Sequence, residues 1–217
     1  SITDEEAVDI IESALVAETE GIGAEVEDAA YLAEEYAENL TSDELEERNN
    51  PCEETYDSTV VHTINNPNLT ADYTTGWTWT LDCNAAGLPT SLNYARTAEG
   101  AFETTRLVST TNSTSSWVVS NLLTGANYVF NGAYNRTGTM ESRVGNQNTY
   151  STTTSIEVDN LNVDKGERRI ESGIADITLV ATGPEGNTST IEANVVFNGG
   201  GSVTIIINGN SYSIDLY

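Results

Sequence analysis

The chain has 217 residues, enough for one or two domains with a sizeable core. It carries 34 Asp and Glu against 8 Lys and Arg, a formal net charge of −26. That excludes unaided nucleic-acid binding, because affinity for a phosphate backbone needs a basic surface. Reactive side chains are few: His62 is the only histidine, Lys165 the only lysine, and Cys52 and Cys83 the only cysteines.

Charge and composition divide the chain. Residues 1–50 hold 17 of the acids and one base, Arg48; the remainder holds 17 acids and 7 bases, and Ala and Glu give way to Thr, Ser, Asn, Gly, Val and Ile. A boundary near Asn49-Asn50-Pro51 follows, with an acidic helical segment over 1–50 and an antiparallel β domain over 51–217. Thr3-Asp4-Glu5-Glu6 has the form of a capping box behind Ile2, its acids at the positive end of the helix dipole. Ala7, Ile10, Ile11, Ala14 and Leu15 then recur at helical spacing. Gly21-Ile22-Gly23 breaks that pattern. A second helix is expected from about Ala24 to Leu40, with Val26, Ala30, Ala33, Ala37 and Leu40 on one face and Tyr36 beside them. Thr41-Ser42-Asp43-Glu44 opens a short third helix or a frayed turn. The apolar stripes are narrow and alanine-rich, so these helices should pack on something else.

After Pro51 the period changes to two. Trp77, Trp79 and Leu81 alternate with Thr78, Thr80 and Asp82; Tyr128, Phe130 and Tyr134 share a parity with Gly132 between them. Ile191, Ala193, Val195 and Phe197 repeat the pattern, as do Val203, Ile205 and Ile207. The opposite parity is mostly Thr, Ser and Asn, as in sheets with one wet face. Asn208-Gly209 is a strong hairpin signal between Ser202–Ile207 and Ser211–Leu216. Turns are also expected at Gly87-Leu88-Pro89, Thr124-Gly125, Asp164-Lys165-Gly166 and Gly183-Pro184-Glu185-Gly186. Roughly ten strands with short links favour an antiparallel meander over βαβ units. Barrel, sandwich and single curved sheet all fit that pattern. No apolar run approaches about 18 residues, so no membrane-spanning helix is expected.

Cys52 follows a proline in a polar linker, and Cys83 ends the Trp77–Asp82 strand. Two cysteines and one histidine make a poor zinc set, so a disulfide from linker to strand end is expected, and with it export. Closing that loop contributes roughly 3–4 kcal/mol in the chain-entropy model.

The segments Ile2-Thr3-Asp4-Glu5-Glu6, Thr78-Trp79-Thr80-Leu81-Asp82-Cys83, Asn131-Gly132-Ala133-Tyr134-Asn135-Arg136-Thr137-Gly138 and Asn208-Gly209-Asn210-Ser211-Tyr212-Ser213-Ile214-Asp215-Leu216 give the chain its style. In that style it resembles the exported surface or periplasmic lipoproteins of Bacteroidota, with an acidic helical start and a Thr/Asn-rich sheet. The resemblance rests on no functional motif. It implies a lipid anchor ahead of this sequence as the only membrane attachment. Asp57-Ser58-Thr59 resembles the O-glycosylation site of that phylum, which makes Ser58 a candidate acceptor.

Catalytic signatures are sparse. No Gly-x-Ser-x-Gly elbow, His-Glu-x-x-His helix or phosphate-binding Gly-Lys loop occurs, and His62 lies in an expected strand, where a satisfied hydrogen bond is the simpler reading. Glycoside hydrolysis needs only two carboxyls roughly 5–10 Å apart; Glu99, Glu103, Glu141, Glu157 and Glu171 are candidates that the sequence does not pair. Asp159-Asn160-Leu161-Asn162-Val163-Asp164-Lys165-Gly166 places oxygen ligands at alternate positions, yet its glycine falls one place late for a calcium loop, and Ca²⁺ remains the one cofactor considered. Trp77, Trp79, Trp117, Tyr128, Phe130 and Tyr134 form either sheet core or a ligand face for sugar rings or lipid. If the sheet curves without closing and the helices plug it, the fold would resemble a lipoprotein-carrier half-barrel.

These observations together read as α+β, with two to three N-terminal helices packed on a large antiparallel meander. The expected role is a non-catalytic exported cell-envelope protein, a binding or accessory subunit of a surface assembly. It would be outer membrane-associated, periplasmic or at the cell surface. Its partner would be an envelope protein or a carbohydrate or lipid ligand. A carrier of a hydrophobic ligand is the alternative, and a carboxylate-pair glycoside hydrolase the third.

Overall fold

A computed structural model describes residues 1–38, 52, 54–145 and 147–217. Helix α1 spans Asp4–Leu15 and α2 spans Ile22–Ala33, joined through a 3₁₀ turn at Ala17–Thr19; a π turn at Glu34–Glu38 follows. Ten strands come next: β1 Thr55–Asn65, β2 Leu69–Cys83, β3 Pro89–Thr104, β4 Leu107–Ser120, β5 Asn127–Ser142, β6 Thr149–Asp164, β7 Ile170–Thr182, β8 Thr188–Gly199, β9 Ser202–Ile207 and β10 Asn210–Asp215. All pair antiparallel in sequence order.

The α+β class read from the sequence is corrected. Among the described residues the protein is mostly β, with two α-helices of 12 residues each. Helix α1 starts on the expected capping box: Glu6 N donates to Thr3 Oγ1 at 3.2 Å, and Thr3 N to Glu6 Oε2 at 2.9 Å. It ends where Val16 turns extended. Helix α2 begins two residues earlier than expected, capped by Gly21, and its last turn widens into the π turn. The expected helix end at Leu40, the third expected helix and the linker boundary at Asn49–Pro51 lie outside the described residues. Helices this short and alanine-rich cannot form a layer of their own; they form a hairpin whose apolar residues join the sheet in one core. Gly21 permits that hairpin, since a Cβ there would stand 2.6 Å from the Ala14 carbonyl oxygen.

The sheet curls around the hairpin. From β2 to β10 there are eight inter-strand steps of about 4.8 Å, roughly 38 Å if flat. Yet Tyr73 of β2 donates its hydroxyl to Thr19 O at 3.3 Å, while Ala17 N donates to Leu216 O, just beyond β10, at 3.1 Å. Two residues of one turn thus touch strands from both sides of the sheet, which therefore rolls into an incomplete barrel. Among the described residues β1 pairs only with β2, and β10 only with β9.

Side chains alternate between the hairpin and solvent as the period-two pattern required. Trp79 is buried and Thr78 exposed, with Trp77 partly buried. One inward row runs Tyr56–Trp79–Tyr94–Trp117–Gly132 across β1 to β5. Gly132 interrupts the run of large rings, since a Cβ there would come close to the Ser116 carbonyl oxygen and within 2.9 Å of the Trp117 ring, and the row continues through aliphatic residues from Val158 of β6.

The Cys52–Cys83 pair is bonded, with Cα atoms 5.6 Å apart and 31 residues of separation. Among the described residues no helix is long and apolar enough to cross a membrane. The Asn208-Gly209 hairpin joins β9 to β10, with both residues at positive φ.

Candidate functional site

The interior of the curled sheet holds a knot of charged side chains around the hairpin. Glu20 follows the 3₁₀ turn in the left-handed region, φ 58°, which directs its side chain at the sheet. Its Oε1 lies 2.6 Å from His62 Nε2 of β1, and its Oε2 2.5 Å from Arg96 NH2 of β3. The same Arg96 nitrogen is 3.3 Å from Asp28 of α2. Arg96 and Glu20 are both about 4% exposed, so this is a desolvated ion pair. Its value lies in fixing where the hairpin sits as much as in net stability.

Arg136 of β5 is 1% exposed and reaches the hairpin from below. Its NH1 donates to Ser13 O and its NH2 to Thr19 O, each at 2.5 Å. Those carbonyls belong to the C-terminal end of α1 and the turn after it, where a cation also meets the negative end of the helix dipole. The inward neighbours of Arg136 in its row, Ala98, Ser113 and Thr154, are small and leave room for its long side chain. Tyr134 donates its hydroxyl to Glu20 O at 3.2 Å. Glu25 of α2 accepts from Trp117 Nε1 at 2.6 Å and is 1% exposed. Burial pushes its carboxyl up to about 7, against the pull of Arg96 and the tryptophan hydrogen bond.

Sequence reasoning missed Glu20, Glu25, Arg96 and Arg136. A signal existed for the arginines: Arg96 shares the parity of buried Tyr94 and Ala98, and Arg136 that of Tyr134. An arginine on the core parity of a strand needs an internal acceptor. For the two glutamates there was no signal among so many acids.

The six aromatics proposed as a ligand face come together, but against the hairpin. Trp79, Trp117, Tyr128, Phe130 and Tyr134 are buried, and Trp77 is partly so. Trp79 stacks on Tyr56 at 4.2 Å between ring centroids and meets Tyr36 at 4.5 Å. Lys165 sits 4.8 Å above the Tyr128 ring and donates to Leu122 O. The carboxylate candidates Glu99, Glu103, Glu141, Glu157 and Glu171 are all exposed; Glu103 pairs with Arg143 and Glu171 accepts from Asn127. In the segment considered for Ca²⁺, Asn160 occupies a bulge and Asp164 Oδ1 accepts from Glu167 N, closing a turn. Among the described residues no three His, Cys, Asp or Glu side chains converge as metal ligands.

The second feature is the β1 edge. This strand is 11 residues long, mostly exposed, and holds no Pro or Lys and one acid, Asp57. Val60 and Val61 are 42% and 72% exposed. Alternate residues of an antiparallel edge turn their N–H and C=O groups away from their one neighbour. Edges of this length are normally blunted by charge, Pro or bulges. Ser58, the candidate glycan acceptor, lies exposed on this strand, opposite Trp77. The sequence matches no protein family, no curated protein and no solved structure.

Proposed function

We propose that this protein is a non-catalytic, exported component of the cell envelope that joins a larger assembly by adding its β1 edge to a partner's strand. The observation that carries this reading is the long, unblunted β1 edge with Val60 and Val61 exposed on it. The charged knot supports it, because Glu20, His62, Arg96 and Arg136 hold the hairpin inside the sheet instead of facing a substrate. The Cys52–Cys83 bond fits an oxidising compartment. Envelope residence and a lipid anchor follow from the resemblance to Bacteroidota lipoproteins. A lipid carrier would have to expel the hairpin and strand its buried charges, so that alternative ranks second.

Site-specific photo-cross-linking in native envelopes tests this. A cross-linker at Val61 should give one discrete adduct, abolished by Thr59→Lys, while one at Thr178 on the outer sheet face gives none. Equal labelling at both positions, or lipid recovered from the purified protein with no adduct, would overturn the proposal.

A further inference from the structure

Asn66 N donates to Leu69 O at 2.9 Å, closing the turn between β1 and β2, and the two strands pair from there without a register shift. Hydrogen-bonded pairs alternate back from that turn, so Ile64, His62, Val60, Ser58 and Tyr56 exchange bonds with β2. The residues between them, Thr55, Asp57, Thr59, Val61, Thr63 and Asn65, turn their N–H and C=O groups to the open edge. Ser58 and Val60 share the inward parity of Tyr56 and His62 and are nonetheless exposed, so the edge is open on both faces.

A strand added here must meet those edge-facing residues with edge-facing residues of its own. Strand β1 does so itself. Laid antiparallel across a two-fold axis at Val60, it sets Thr59 against Val61, Asp57 against Thr63 and Thr55 against Asn65 of a second copy, and all 11 residues are paired. Each of those pairs joins two edge-facing residues and exchanges two hydrogen bonds. A slip of one residue would set edge-facing residues against groups already bonded to β2 and reverse the faces. No charge meets its like: Asp57, the strand's one acid, lies opposite Thr63, and His62 opposite Ser58. In a chain of net charge −26, such a strand lets two copies approach with the least local repulsion. The other edge, β10, offers six residues ending in Asp215, and the carbonyl that follows, Leu216 O, already accepts from Ala17 N. Pairing β1 with β10 of the next copy would also propagate without closing, whereas the two-fold pairing closes.

We infer that the strand joined to the β1 edge is β1 of a second copy of this chain, in an antiparallel two-fold dimer centred on Val60. This rests on the edge reading of the proposed function and names its partner.

The test is sedimentation equilibrium of the whole protein from micromolar to millimolar concentration. A monomer–dimer equilibrium that saturates at the dimer is expected. It should strengthen with added NaCl, which screens the repulsion between two acidic copies. Thr59→Pro removes an edge-facing donor that β2 does not use, so the fold tolerates it, and dimerisation should weaken about tenfold or more. Val61→Glu, at a position 72% exposed, sets a new acid diagonal to Asp57 of the second copy and should weaken it likewise; it carries the test if Thr59→Pro melts below wild type. Val60→Cys should cross-link to its own copy under mild oxidation, because residues on the axis stand about 4.5 Å apart at Cα. Thr63→Cys, whose copies stand about 20 Å apart, should not. A monomer at every concentration, open-ended growth, equal cross-linking at both cysteines, or a dimer indifferent to Val61→Glu would each overturn the pairing. A purified monomer together with a Val61 adduct to a different protein in envelopes would overturn the dimer and leave the edge reading standing. Absence of both would overturn both.

Discussion

Replacing Glu25 by Gln should change how stability depends on pH, because this carboxyl is buried against Trp117 with its pKa raised to about 7 from 4.5. Below pH 4.5 the group is neutral in both folded and unfolded chains and costs nothing. Between 4.5 and 7 the unfolded chain releases the proton while the folded chain retains it, so stability falls as pH rises. At 1.36 kcal/mol for each pH unit, the full loss is about 3 kcal/mol. Glutamine has nearly the same shape, and its amide oxygen still accepts from Trp117 Nε1. Wild type and Glu25→Gln should therefore be similarly stable at pH 4.5, and the variant more stable by up to about 3 kcal/mol at pH 8. Asp9, Glu12, Glu27 and Asp28 are also raised by burial, but they are common to both proteins and cancel in the difference. Urea unfolding at pH 4.5 and 8, with midpoints compared at unchanged m-value, gives the two differences directly. Equal differences at both pH values would show that Glu25 is not desolvated, and would refute the placement of α2 over Trp117.

Free-thiol titration of the denatured, unreduced protein should find no thiol, and reduction should cost roughly 3–4 kcal/mol for a loop of 31 residues; two titratable thiols would overturn the bond. Trp79→Ala should destabilise by about 3–5 kcal/mol, since the ring is 4% exposed and packed on Tyr56 and Tyr36. A wild-type melting temperature in that variant would mean the ring faces solvent. With a net charge of −26, sodium chloride should raise the melting temperature by screening self-repulsion, and hydrogen exchange along Ile10–Leu15 and Val26–Ala33 should slow with added salt; salt-independent exchange there would count against an electrostatic strain on the hairpin.

What was legible in the sequence was local. The capping box at Thr3 and Glu6, the strand alternation around Trp79 and around Ile205 in the last hairpin, and the Asn208-Gly209 turn depend on contacts a few residues apart. Side-chain pattern alone specifies them. The cysteine pairing was legible because only two candidates exist, at a linker and a strand end. The weight of the helices was overestimated because helical pattern shows where a helix starts, not how little surface it adds beside ten strands. Only the tertiary structure decided the curl of the sheet, which follows from the hairpin touching β2 and the end of β10 at once. It alone brought Glu20 to Arg96 across 76 residues and Ser13 to Arg136 across 123. Buried charge pairs of that separation leave no periodicity in a chain with 34 acids, because any of them could be the partner. Which acid becomes the partner is set by desolvation and reach, and both exist only once the sheet has closed around the hairpin.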